Sequence, residues 1–313
     1  MVYPDNCTVI TEILLTGFKS FEGFRIPIFV LFLIIYILIC CENVLIIYII
    51  FSSARLKALM FFIIQSMCVC DLLHISNVIP KFLNDVLSER PTFTVTGCIL
   101  QLQMHGISGV IGSFHYALMS YDRYLAVCYS LHYSSFVNNR IYFQIIIVFW
   151  IISIACPSVI CGFMSQLLFC GKDTIHHFIC DSSPFLDLAT SNTTHIRIFS
   201  VVLSAFMILG TCLSVFVTYV FIIHTVLKIT SSSGRKKTFS TCSSHLIVFF
   251  MQYGLSLGVY VLPANIVTIQ LTITTTFILF FWTPLVNPLI YTFNSKEFRA
   301  ECLRKIKTVD KIF

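Results

Sequence analysis

The sequence predicts an all-α membrane protein, a bundle of seven transmembrane helices with its N-terminus outside and a short amphipathic helix at its C-terminal end. Three observations predict it. First, 57% of the 313 residues are hydrophobic and only 11% are charged, against about 25% charged in an ordinary soluble domain. That leaves too little polar surface to cover a globule in water, and the mean hydropathy of +0.90 agrees. Second, seven stretches reach the roughly 20 mostly apolar residues that a spanning helix needs. Third, Lys and Arg are distributed unevenly between the connecting segments, which orients the bundle.

The seven stretches fall at roughly 24–50, 58–82, 96–126, 141–162, 197–226, 238–262 and 271–293. The first reads FRIPIFVLFLIIYILICCENVLIIYII, and with no basic-led signal and small-residue cleavage site before it, it is expected to serve as the insertion signal. The third and seventh are interrupted by Gly, Ser, His or Thr, as suits helices enclosed by other helices, where small residues allow close approach. The absence of an internal repeat argues against inverted-repeat transporters. Residues 1–23 are read as an outer tail, 24–293 as the spanning domain and 294–313 as an inner tail.

Fourteen Lys and Arg fall in the turns after spans one, three and five and in the C-terminal tail: Arg55, Lys57, Arg123, Arg140, Lys228, Arg235, Lys236, Lys237, Lys296, Arg299, Arg304, Lys305, Lys307 and Lys311. Six lie on the opposite side: Lys19, Arg25, Lys81, Arg90, Lys172 and Arg197. Positive charge collects on the cytoplasmic side, so the C-terminus is inside. The net charge of +6 is therefore mostly a topology signal, with some attraction to anionic lipid; no nucleic-acid partner is implied.

Most of the fourteen cysteines sit inside apolar spans and read as small buried hydrophobes. Cys7, Cys98, Cys170 and Cys180 lie on the oxidising side. A Cys98–Cys180 bridge would pin the long loop over the bundle, and closing so long a loop is worth about 2–4 kcal/mol. Cys170 then has no evident partner except Cys7. Asn6 opens a glycosylation sequon on the outer tail, and Asn192 opens a second one near a helix start.

Ionisable groups at membrane depth are expensive and mark function by default. Asp71 lies mid-way along span two, Asn43 at similar depth in span one, and Glu42 beside it. They read equally well as packing contacts or as a polar core that rearranges. Asp122-Arg123-Tyr124 closes span three at the inner boundary, either as a positive stop or as a switch; the polar, aromatic loop after it suits docking of a partner. Span seven ends in Asn287-Pro288-Leu289-Ile290-Tyr291, where proline frees a backbone carbonyl that a neighbouring helix must satisfy. With Tyr219 of span five, these residues are assigned to the switch.

MSYDRYLAVCYSLHY, GRKKTFSTCSSHL preceded by VLKI, and TPLVNPLIY stand in order with the right topology between them. Together with TEILLTGF, VIPKFL and LFCGKDTIHHFICD, they make nearly the whole chain resemble the vertebrate olfactory (odorant) receptors of the rhodopsin-like G-protein-coupled superfamily. Some features depart from the family pattern. Glu42-Asn43 stands where Gly-Asn is usual, Ala58-Leu59-Met60 where Pro-Met-Tyr is usual, and Gln252-Tyr253-Gly254 where Phe-Tyr-Gly is usual. Thr190 lies where a further loop cysteine is common, so a second bridge within the loop from Cys170 is not expected. Gly112 replaces a usual acid, which puts in doubt a sodium site shared with Asp71.

The resemblance implies a small-molecule odorant bound between the outer halves of spans three, five, six and seven. It also implies a heterotrimeric G protein of the stimulatory type on the inner face, raising cyclic AMP from the plasma membrane. Helical spacing supplies candidates of its own. Counting back from Arg123 on one face of span three gives Tyr116, Gly112, Gly109 and His105, with Gly106 and Val110 adjoining. The glycines either leave room for a ligand or permit tight packing. Leu203 and Met207 in span five and Tyr253, Leu257 and Tyr260 in span six complete the candidate pocket, although such stripes are commonly plain core.

Other classes fit less well. A retinal protein needs a Schiff-base lysine in its last span, and 271–293 contains none. A channel or transporter would show more deep charge, and an enzyme would show a nucleophile or metal-ligand constellation. His176-His177 lacks spaced partners, so no metal or cofactor is expected. A chemosensory receptor of the same fold for non-odorant ligands remains the nearest alternative. With His105 rather than a carboxylate in outer span three, a neutral or acidic ligand fits better than an amine, with Arg197 as a candidate carboxylate partner.

Overall fold

The computed structural model describes residues 9–17, 23–260, 269–293 and 295–309. Seven long helices dominate it: α1 (Arg25–Phe51), α2 (Leu59–Leu87), α3 (Val95–Cys128), α5 (Asn139–Met164), α7 (Thr194–Lys228), α8 (Ser232–Tyr260) and α9 (Ile269–Phe293). Short α4 (Tyr133–Phe136) and α6 (Ser182–Asp187) lie in loops, and α10 (Lys296–Val309) follows the bundle. Local chemistry sets several boundaries. Thr94 Oγ1 accepts the Gly97 N–H at 3.0 Å to open α3, and Asn138 Oδ1 accepts the Arg140 N–H at 3.0 Å to open α5, each satisfying an orphan donor of the first turn.

Among the described residues, α1, α2, α5, α7 and the Leu271–Thr292 part of α9 are long and apolar enough to cross a bilayer by length and composition alone. The sequence marks spans three and seven as the weak ones; by this measure span seven passes, and spans three and six fall short. The reason is position. Helix α3 is enclosed by its neighbours and holds buried Gln101, Ser113, His115 and Ser120, while α8 begins with the polar run SSGRKKTFSTCSSH. Helices α1 and α7 expose long apolar side chains along their lengths, such as Leu38 and Val44 on α1 and Val201 and Phe206 on α7. Such a continuous exposed apolar belt is tolerable only in hydrocarbon.

On the outer face, β1 (Glu12–Leu15) pairs antiparallel with β2 (Thr92–Thr94) and parallel with β3 (Thr174–Ile175), giving the order β2-β1-β3. The tail strand thus stitches the first and second outer loops together. Gly17 is required there: a Cβ would lie 2.6 Å from the His177 carbonyl carbon. Ile13 and Leu15 of β1 are buried with Cys98, Phe169, Ile175 and Phe185 in an apolar cap over the bundle.

Candidate functional site

The cap descends into the bundle at Cys180. Cys98 and Cys180 are disulfide-bonded, with Cα atoms 5.4 Å apart across a sequence separation of 82. The Cys180 N–H donates to Gln101 Oε1 at 2.9 Å. This anchor buries His177, Phe178 and Ile179, so a segment that reads as an outer loop is part of the interior. Cys170 is also disulfide-bonded, and Val9 forms a bridge to it; Cys7 and the Asn6 sequon lie outside the described residues. Asn192 is exposed, and its Oδ1 accepts the Thr194 N–H at 2.9 Å.

The candidate pocket residues separate by depth and role. His105 stacks on Phe280 at 4.9 Å and lies 5.6 Å from the ring of His74. A Cβ on Gly109 or Gly112 would meet nothing within 4 Å, whereas one on Gly106 would lie 2.9 Å from Pro157. The two readings of the glycines are thus divided: open space beside Gly109 and Gly112, close helix packing at Gly106. Val110 is buried, and Leu203 and Met207 are half-buried on α7. The side chains of Leu257 and Tyr260 lie outside the described residues. Arg197 is engaged at the surface, donating to Asp187 Oδ1 at 2.6 Å and to Thr193 Oγ1 at 3.0 Å, which removes it as a carboxylate partner for a ligand.

Tyr253 sits below this space. Its hydroxyl donates to Ser113 Oγ at 3.0 Å, and Ser113 Oγ donates to the Gly109 carbonyl at 3.0 Å. The Tyr253 and Tyr116 rings are 5.8 Å apart, and Tyr116 accepts from Asn287 Nδ2 at 3.0 Å. Further inward, Tyr219 donates to the Cys242 carbonyl at 2.9 Å and meets His245 Nδ1 at 3.0 Å. The Tyr291 hydroxyl is buried without a hydrogen-bond partner, its ring 6.4 Å from that of His245.

At the inner end, Tyr133 donates to Asp122 Oδ1 at 2.6 Å, and Arg123 Nη2 contacts the Met60 sulfur. Met60 belongs to the unusual Ala58-Leu59-Met60 segment, so that departure falls directly on the arginine. Asn43 Nδ2 donates to the carbonyls of Ile39 at 2.9 Å and Pro284 at 3.2 Å. Glu42 Oε1 and Asp71 Oδ2 are buried without hydrogen-bond partners.

Sequence reading missed His177, His245 and Ser113. For His177 a signal was available: the run Phe178-Ile179-Cys180 is too apolar for a solvated loop and adjoins the anchoring cysteine.

A seven-helix bundle with a disulfide-anchored loop plugged into its outer end has the architecture of a multi-pass membrane receptor. A family model described as "Olfactory receptor" matches residues 32–308. The chain is 35% identical to human olfactory receptor 6F1 over 96% of its length and 98% of the relative's. It is 32% identical to human olfactory receptor 6X1, covering 98% of each, and 31% identical to mouse olfactory receptor 1M1, covering 97% and 96%. The chain belongs to the olfactory receptor family, and like its relatives it is a multi-pass protein of the plasma membrane.

Proposed function

We propose that the chain binds a small organic odorant in the outer half of the bundle, beside His105 and Gly109. Binding activates a heterotrimeric G protein of the stimulatory type at the inner face and raises cyclic AMP. The single observation that carries the reading is the Tyr253–Ser113 hydrogen bond at 3.0 Å. Ser113 in turn bonds the Gly109 carbonyl, so a group on α8 is tied to the floor of the open space. Val110, Leu203, Met207, Leu257 and Tyr260 remain the other proposed ligand contacts.

A ligand shifts a two-state bundle only by its differential affinity for the two states, and each factor of ten requires about 1.4 kcal/mol. One buried hydrogen bond, worth about 1 kcal/mol net, is therefore a suitable coupling element. In this mechanism the inner end of α8 moves, Tyr219, Asn287, Pro288 and Tyr291 repack, and the surface around Asp122, Arg123 and Tyr124 becomes available to the G protein. The test is a cyclic-AMP reporter screen of surface-expressed receptor against acids, amines, alcohols and aldehydes. Ligand-evoked current or flux without a G protein would instead favour a channel.

A further inference from the structure

Two buried imidazole nitrogens in the outer half have no hydrogen-bond partner: His105 Nδ1 and His177 Nε2. The described structure determines which way His177 is protonated. Its Nδ1 lies 3.2 Å from the Ile179 backbone nitrogen, and a backbone N–H can only donate, so Nδ1 carries a lone pair. Burial, the largest influence on it, pushes the His177 imidazole below its ordinary pKa, which favours the neutral ring. The remaining proton therefore sits on Nε2, a buried N–H donor with no acceptor. Leaving such a donor unpaired is costly, and an unsatisfied polar group in a native interior calls for a specific explanation.

His74 cannot supply the missing acceptor by reorienting cheaply. The Ser108 hydroxyl uses its hydrogen on the Met104 carbonyl at 2.9 Å, so at 3.1 Å it accepts from His74 Nδ1 and holds that ring in place. The walls are aromatic: Phe280 lies 4.5 Å from His74 and 6.5 Å from Phe178 between ring centres, and Phe178 is stacked against His177. A Cβ on Gly109 would meet nothing within 4 Å, so the adjoining face of α3 is left unfilled.

We infer that His177 Nε2, with His105 Nδ1 beside the same aromatic box, recognises a neutral odorant bearing a hydrogen-bond acceptor, with a carbonyl the best match. This rests on the odorant-binding role proposed above and goes beyond it in naming the ligand class and placing a loop residue in the site. A carboxylate is the poorer fit. Asp181 acts electrostatically on both His105 and His177, and Arg197 is already paired with Asp187. An ammonium ion has only donors and would meet the Nε2–H donor head-on.

The test uses full-length receptor, surface-labelled, in a cyclic-AMP reporter assay with heptanal, 2-heptanone, heptanoate and heptylamine. Heptanal and 2-heptanone should act at concentrations about tenfold below the other two, the effect of one buried hydrogen bond. His177→Phe should raise their half-maximal concentration about tenfold, and His177→Gln, which retains an N–H at similar reach, should largely restore it. Stronger activation by heptanoate or heptylamine overturns the inference, as does unchanged carbonyl potency in His177→Phe at normal surface level. Should His177→Phe fail to reach the surface, the potency order of the four probes on the wild type decides. If all four are silent while a broad odorant panel activates, the carbonyl inference fails and the odorant-receptor reading stands. Silence to the whole panel at normal surface level overturns both.

Discussion

The side chain of Asn43 on α1 completes a hydrogen bond that Pro288 on α9 makes impossible. An unbroken helix would place the N–H of residue 288 on the carbonyl of Pro284, but proline has no N–H. Asn43 Nδ2 donates to that carbonyl at 3.2 Å. A helix can thus carry a proline at a bend-prone position without an orphan acceptor in hydrocarbon.

This relationship predicts that Asn43→Ala destabilises the receptor by about 1–3 kcal/mol, since the Pro284 carbonyl is left buried and unpaired. Thermal unfolding in detergent should show a lower midpoint. In a Pro288→Ala background, where the helical N–H is restored, the same substitution should lose less; an equal loss in both backgrounds would break the link between the two residues.

The glycines of α3 should respond in opposite ways. Gly109→Val places a side chain where a Cβ meets nothing within 4 Å, so the unfolding midpoint should hold while odorant potency falls by tenfold or more. Gly106→Val drives a larger side chain against Pro157, 2.9 Å from the first added carbon. Overpacking of this kind costs about 1–3 kcal/mol, visible as a lower midpoint and reduced surface expression.

Arg123→Ala should abolish ligand-evoked cyclic AMP while leaving surface expression largely intact. The arginine contacts the Met60 sulfur, and in the variant Asp122 keeps the hydrogen bond from Tyr133, which limits the structural penalty. Normal signalling from this variant would remove Arg123 from the switch.

Cys98→Ser or Cys180→Ser should cost about 2–5 kcal/mol and release the segment that buries His177 and Phe178. Hydrogen exchange over residues 174–182 should rise sharply in either variant. Unchanged protection there would show that the sheet of β1, β2 and β3 holds the loop unaided.

The spanning helices, their orientation and the position of the disulfide were legible in the sequence because each rests on local composition or on which side of the bilayer a residue falls. Scarcity of charge and runs of about 20 apolar residues are properties of contiguous chain, as is the basic bias of the inner segments. Helix-face spacing likewise puts His105, Gly109, Gly112 and Tyr116 on one stripe of α3, since that depends only on 3.6 residues per turn. Only the tertiary structure decided what each residue on the face meets. It set Gly106 against Pro157 but left Gly109 open, sank Tyr253 to the level of Ser113, drew Arg197 to Asp187 and buried His177 beneath the outer sheet. Hydrogen-bond partners such as Asn43 and Pro284, 241 positions apart, are non-local, and no periodicity within either helix encodes them.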